Sequence, residues 1–414
     1  MSHGNKNRKR LGATAALAVL VPLALAACSG SDEDGGGDAS AAVDSLTVLD
    51  YYNDEPAKTQ IGDMLSACGT SIGVAKVDHQ SVPGPTLIQK VLQQASSKTM
   101  PDVLMLDNPD IQQIAATGAL APLSDFGLNA DGFAKGPVAA ATYQDKLYAL
   151  QPGANTIAIY YNKDILSAAG VEPPKTWDEL KTAAKKLTKG SQYGFAFNAT
   201  ADYEGAWQFL PPMWTNGGDE TQLKSPQVAQ ALQLWKDLVD SGSASKSVIN
   251  WSQADVNDQF IAKKAAMMLN GPWQTPNLVK AKINYGVVPF PVNQAGQTST
   301  APLGGEAWTV PLTSSEAKMK KAAELVACMN TDENQLKRAK EGGIVPTKLA
   351  LADKYKAENP TMVGFVEPVA NARSRTGKLG DKWPDQAKII YTGMQQVLTG
   401  QAAPADAMAK AGAS

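Results

Sequence analysis

Imidazole and thiol are scarce in this 414-residue chain, which has two histidines and three cysteines. His3 sits in a leader-like start, so a Ser-His-Asp or Cys-His arrangement would rest on His79 alone, and no partner stands near it in the sequence. His79 therefore reads as a loop residue rather than a catalyst. A zinc site built on several imidazoles is excluded, and thiolate sites are poorly supplied. Carboxylates are more plentiful: Glu204 and Glu306 form a pair that could cleave a glycosidic bond if folding set them about 5–10 Å apart, a separation the sequence leaves open. Cys68 and Cys328 leave two alternatives. In an exported chain they can pair, whereas Cys68, three and four residues after Leu65 and Met64 on an amphipathic helical pattern, also fits a separate buried thiol.

The elements that position polar groups follow from the hydrophobic period. Leu46-Thr47-Val48-Leu49 is a short apolar strand ending in the polar and aromatic loop that holds Tyr52, Asn53 and Asp54. A helix with Ile61, Leu65 and Cys68 on one face follows, then a strand at Val74-Ala75-Lys76-Val77, a helix through Leu87, Val91 and Gln94, and a strand at Val103-Leu104-Met105-Leu106. This alternation predicts a parallel sheet with helices on both faces. Ligands of such sheets sit at the carboxyl ends of the strands, so Tyr52, Asn53 and Asp54 after the first strand, and Asp107 and Asn108 after the third, are candidate cleft residues.

The alternation restarts at the strand Thr156-Ile157-Ala158-Ile159-Tyr160-Tyr161. Thr176-Trp177-Asp178-Glu179 is a capping box that opens a helix. Ser225-Pro226 opens another, with Ser as N-cap and an apolar stripe at Val228, Leu232, Trp235 and Val239. The strand Ala265–Leu269 breaks at Asn270-Gly271-Pro272-Trp273, leaving an indole at its end. Gly304 and Gly305, ahead of Trp308, allow a backbone crossing or a close approach to ligand. Two α/β lobes result, with the chain passing between them more than once.

Ahead of the lobes, Lys6, Arg8, Lys9 and Arg10 precede the apolar run from Leu11 to Leu25, the two parts of a secretory signal. Residues 1–27 are expected to be removed. Leu25-Ala26-Ala27-Cys28 resembles a bacterial lipobox, which implies cleavage before Cys28 and a lipid on its sulfur. Pro22 and the short apolar length argue against an uncleaved membrane anchor. Residues 28–44 read as a lipid-anchored flexible tether. Roughly 370 residues remain, too many for one ordinary core. The 38 basic and 40 acidic residues are spread through the chain, and no basic stripe is present to neutralise phosphates, so nucleic acid is not an expected partner.

Five segments then carry a likeness across nearly the whole chain: Pro101-Asp102-Val103 with Gly118-Ala119-Leu120; Tyr160 to Leu166 through Ala169-Gly170-Val171; Pro174 to Leu180; Ala265-Ala266-Met267 to Gly271-Pro272-Trp273; and Leu303-Gly304-Gly305-Glu306. In these the chain resembles the family 1 extracellular solute-binding proteins, the carbohydrate-binding group related to maltose-binding protein. The resemblance implies an α/β, two-lobed periplasmic-binding-protein fold (type II, Venus-flytrap), with a parallel-rich sheet in each lobe and three crossover segments. Lobe 1 is expected to comprise 45–153 and 306–366, and lobe 2 154–305 and 367–414. A sugar, di- or oligosaccharide, would lie in the interlobe cleft, and the closed form would dock on the permease subunits of an ABC importer. The protein would be a monomer on the extracellular face of the membrane, lipid-anchored in the actinobacterial manner, with no cofactor, no metal and no enzymatic activity.

Residue by residue, the resemblance puts Asn155 on the first crossover, six residues before Tyr161, and makes Trp273 an indole stacked on a pyranose. Glu204 and Trp207 fall in the second-lobe region that supplies further contacts. Arg373 and Arg375 fall where the third crossover returns to the cleft, and their guanidinium groups suit vicinal hydroxyls. With Tyr52, Asn53, Asp54, Asp107, Asn108, Glu306 and Trp308, these residues offer flat aromatics for the C–H faces of a sugar and polar groups for its hydroxyl rim. Trp308 and Trp383 stay open between site and core, and Arg373 between site and solvated surface. The resemblance also places the helical segments around Cys68 and Cys328 in the first lobe, which implies a disulfide there. Two competing readings remain: a binding lipoprotein for a polyol or peptide, and a tethered glycoside hydrolase using Glu204 and Glu306.

Overall fold

The computed structural model describes residues 43–359, 362–370 and 372–413. The expected leader, Cys28 with its lipobox, and all but the last two residues of the tether lie outside the described residues.

One sheet runs in the order Lys76–Ser81, Ser45–Asp50, Val103–Asp107, Glu306–Thr309, Ala149–Leu150. The first three strands are parallel, as their alternation with helices predicts, and Glu306–Thr309 pairs antiparallel with both neighbours. The period of two decides what each face buries. Leu46, Val48, Val103, Met105 and Trp308 pack on the helices Ala57–Ser71 and Glu316–Met329, while Leu49, Leu104, Leu106 and Ala307 pack on Gly84–Ser97 and Asp110–Ala116. Trp308, expected in the site, is instead core at 1 % exposure, because its register beside Met105 turns it into the first of these clusters. His79 is not on a loop either. The second strand starts at Lys76 and ends at Ser81, so His79 lies within it beside Val48. A disulfide joins Cys68 and Cys328 across the two helices of the first face.

The other sheet runs Tyr285–Val288, Ala158–Asn162, Ala265–Asn270, Tyr193–Ala196. Ala158–Asn162 is antiparallel to both its neighbours, and the remaining pairing is parallel. This sheet is therefore mixed, where a parallel-rich one was expected. A strand covered on both faces shows the same apolar run in either direction, so its sequence carries no pairing sense. Ile159, Phe195 and Met267 face the helices Trp177–Leu187, Tyr203–Thr215 and Pro226–Asp240. Tyr160, Ala196 and Met268 face Phe260 together with Tyr355, Met362 and Phe365. The later segment thus packs on the second sheet, although the expected boundary at 366 grouped it with the first.

Local signals are met unevenly. Thr176 Oγ1 accepts from the Glu179 N–H at 3.2 Å and the Glu179 carboxylate accepts from the Thr176 N–H at 3.3 Å, the reciprocal capping box. Ser225 occupies its N-cap position without a side-chain capping bond.

Three passes of chain lie side by side between the sheets. Asn155 and Gly304 exchange backbone hydrogen bonds of 3.1 and 2.9 Å, and Leu303 N donates to Arg373 O at 2.8 Å. Both glycines are required here. A Cβ on Gly304 would come within 2.2 Å of Asn155 Oδ1, while Gly305 has φ +125° and would set a Cβ 2.5 Å from the Gly153 carbonyl.

Candidate functional site

Arg375, on the third pass, is the centre of the polar cluster between the sheets. Its Nη2 donates to Asp107 Oδ2 at 2.9 Å, to Asp107 Oδ1 at 3.1 Å and to Asn108 Oδ1 at 3.0 Å. Its guanidinium carbon lies 4.3 Å from the centre of the Trp207 ring, a cation–π stack. Asp107 and Asn108 end a strand of the first sheet, and Trp207 sits on the helix Tyr203–Thr215 that packs on the second. Burial raises the Asp107 pKa, the neighbouring Glu306 adds to the rise, and Arg375 opposes it.

Beside this cluster, Glu306 Oε1 accepts from the Tyr51 hydroxyl at 2.6 Å. Burial, with Glu306 and Asp107, keeps Tyr51 protonated well beyond the usual phenol range, so it remains a donor. Tyr52 lies under the Arg338 guanidinium, 5.3 Å from the ring centre, and its hydroxyl accepts from Arg338 Nη2 at 3.4 Å. Asn53 and Asp54 stand exposed ahead of the helix Ala57–Ser71 and do not join the network.

The second half contributes Asn155, Glu204, Trp207 and Trp273. Asn155 is buried, with its amide oxygen against Gly304. Glu204 accepts from Asn198 Nδ2 at 3.0 Å and from the Gln253 N–H at 3.2 Å, and burial raises its pKa. Glu204 and Glu306 therefore serve separate networks. Trp273 is half-buried against the second core, its ring folded back over Gly271, where a Cβ would meet it at 2.0 Å.

Arg373 is neither a free ligand donor nor a solvated surface charge. It pairs with Glu220 at 2.5 Å and Asp219 at 3.0 Å, and stacks on Trp214 at 4.5 Å. Although burial works the other way, hydrogen bonds from Lys378, Thr221 and Arg373 hold Asp219 below the usual carboxylate range. Trp207 and Trp214 are seven residues apart, two turns along one helix face, so the two arginines ride on one row of indoles.

Asp50, His79 and Ser81 meet at the end of the first sheet. His79 Nε2 is 2.7 Å from Asp50 Oδ2 and 3.2 Å from Ser81 Oγ, which donates to Asp50 Oδ1 at 2.7 Å. A hydrolytic triad needs acid and nucleophile on opposite ring nitrogens, whereas here both meet the same one. Asp50 also accepts from the Tyr52 N–H, so the trio braces the Tyr51-Tyr52 corner.

Tyr51 and Arg338 were missed by sequence reasoning. Tyr51 adjoins the strand end already singled out, and a full reading of that corner would have included it. Arg338 sits in the helix Asp332–Gly342, whose residues are mostly polar or charged, so that nothing in the sequence singles it out from Lys337 or Lys340.

Among the described residues no group of three or more His, Cys, Asp or Glu side chains could hold a metal ion, and no helix is long and apolar enough to cross a membrane. The family described as bacterial extracellular solute-binding protein matches residues 64–362. The chain is 29 % identical over 318 residues to a maltooligosaccharide ABC transporter solute-binding lipoprotein of Streptococcus pneumoniae serotype 4, covering 71 % of this chain and 70 % of that protein. It is 24 % identical over 412 residues to a galactooligosaccharide-binding protein of Bacillus subtilis, covering 95 % and 94 %. The solved GacH receptor of Streptomyces glaucescens, known unliganded and with acarbose, superposes with a TM-score of 0.78 at 26 % identity over 89 % of this chain and 96 % of that one. Maltose-bound MalE3 of T. maritima gives 0.80 at 25 % identity over 89 % and 98 %.

Proposed function

We propose, from the premise that this chain belongs to the bacterial extracellular solute-binding protein family, that it captures a di- or oligosaccharide between its two sheet-centred halves and delivers it to an ABC importer. The observation that carries this reading is the Arg375 cluster, which draws Asp107 and Asn108 from one half and Trp207 from the other. Such a junction gathers charged and amide groups suited to hydroxyls at the place where residues of the two halves meet. The maltooligosaccharide and galactooligosaccharide relatives support the sugar class.

The family is one of substrate-binding transport proteins, and the separate hydrogen-bonding of Glu204 and Glu306 gives the hydrolase reading no support. Export, cleavage before Cys28, a lipid on its sulfur and a monomeric mature form complete the proposal, with the two sheets as the cores of two lobes. The test is a thermal-shift panel of maltose, maltotriose, galactobiose, glycerol and short peptides on the mature chain. Stabilisation by one or more saccharides is expected; stabilisation by a peptide or by glycerol alone would overturn the sugar assignment.

A further inference from the structure

We propose that His79 is a positioning residue for sugar capture: through the buried Asp50 carboxylate it sets the Tyr51-Tyr52 corner, and with it the affinity of the cleft, without touching the sugar. The proposal rests on the sugar-capture reading and adds to it a residue outside the polar cluster. With residues 1–27 removed, His79 is the only imidazole of the chain.

Asp50 is the last residue of its strand and is fully buried, at 0 % exposure. It continues the alternation of Leu46 and Val48, so its side chain is on the face that packs on the helix Ala57–Ser71. An ionised group buried there is weak support for stability. Its oxygens are committed to the corner instead. Oδ1 accepts from the Tyr52 N–H at 3.1 Å, two residues on, the bond that fixes an Asx turn. The neighbouring strand supplies the other donors: Ser81 Oγ donates to Oδ1 at 2.7 Å, and His79 Nε2 meets Oδ2 at 2.7 Å. His79 and Ser81 are two residues apart, opposite Val48 and Asp50, and so share one face of the sheet.

An ionised carboxylate only accepts, and the Ser81 proton is already given to Oδ1, so the proton in the contact with Oδ2 belongs to Nε2. Nδ1 lies over Gly62 of the facing helix, 3.4 Å from where a Cβ would stand, which holds the ring between strand and helix. The corner carries two phenols. Tyr51 donates to Glu306 at 2.6 Å, while Tyr52 packs on Tyr51 with ring centres 5.2 Å apart and lies under Arg338. A turn of the Tyr52 peptide would move both rings together. These residues adjoin the Arg375 cluster on the first half, so such a turn re-aims polar groups on which the proposed capture relies.

Calorimetric titration of the untagged mature chain with maltose, maltotriose and galactobiose compares wild type, His79→Leu, His79→Gln, Tyr51→Phe and the double variant His79→Leu/Tyr51→Phe. Leu fills space without a donor, whereas Gln restores an N–H near the reach of Nε2. For a sugar that binds wild type, His79→Leu is expected to weaken binding about fivefold or more, and His79→Gln to recover most of that loss. The double variant should be little weaker than the worse single variant, because both changes act on one corner. Nitrogen-15 spectra of wild type should show the single imidazole protonated at Nε2, with its signals displaced when sugar is added. Unchanged affinity in His79→Leu, no recovery in His79→Gln, additive losses in the double variant, or an Nε2 without a proton would each overturn this proposal and leave sugar capture standing. Should ligand-free melting show that His79→Leu does not fold, the wild-type spectra decide: imidazole signals that ignore a bound sugar would overturn it. Failure of all three sugars to bind wild type would overturn both.

Discussion

Asp107 and Glu306 stand directly opposite each other on adjacent antiparallel strands. Like charges so placed repel, and the structure answers each carboxylate separately, Asp107 with the Arg375 guanidinium and Glu306 with the Tyr51 hydroxyl.

Burial raises the folded-state pKa of Asp107, Asp110 and Glu204. The folded protein then holds protons to higher pH than the unfolded chain, so the stability these groups give is present at low pH and is lost as pH rises. For Asp110 the window runs from its ordinary value of 3.8 to about 7. Ligand-free melting temperature should fall between pH 5 and pH 8, and Asp110→Asn should flatten that fall, a difference of the order of a few kcal/mol. Thermal melts across this range check it; identical slopes in the two proteins would contradict the assignment.

Cys68 and Cys328 are 260 residues apart in sequence and 5.7 Å apart between Cα atoms. Exported protein should show no free thiol by mass spectrometry, and the double variant Cys68→Ala/Cys328→Ala should lose about 2–4 kcal/mol in denaturant unfolding. Two alkylatable thiols in exported protein would remove the disulfide from the account.

Much of the first half was legible because its strands alternate with helices, and parallel order follows from that alternation alone. Thr176 and Glu179 were equally plain, since a capping box is local. Pairing sense in the second sheet was not, because Ala265–Asn270 is buried on both faces and reads alike in either direction. Trp308 was misplaced because a strand-end indole looks the same whether its register turns it to the cleft or to Met105. The pairing of Arg373 was not legible because its partner Glu220 is 153 residues away, a distance that no spacing rule spans.

The proposed membrane attachment rests on Leu25-Ala26-Ala27-Cys28. Cys28→Ser should leave the folded body intact and release it from the membrane fraction, read by fractionation and lipid labelling. Unchanged attachment and labelling of the variant would dispose of the anchor.

Because the polar cluster takes residues from both halves, a bound saccharide should draw them together. Small-angle scattering should show a smaller radius of gyration with a sugar that binds than without it. Equal radii would withdraw the clamp mechanism.

Calorimetric titration of Trp273→Ala against wild type, with whichever of maltose, maltotriose and galactobiose binds, tests sugar capture most directly. Trp207 is buried and one face of it is covered by Arg375 at 4.3 Å, whereas Trp273 is half-buried at a strand end and is the indole assigned here to a sugar ring. A ring covering about half of one face is worth roughly 2 kcal/mol. The account predicts saccharide binding by wild type that is weakened roughly thirty-fold in Trp273→Ala, with ligand-free stability reduced by much less than the about 3–5 kcal/mol of a truncated core tryptophan. No saccharide binding by wild type, undiminished affinity in the variant, or a core-sized loss of stability would contradict it.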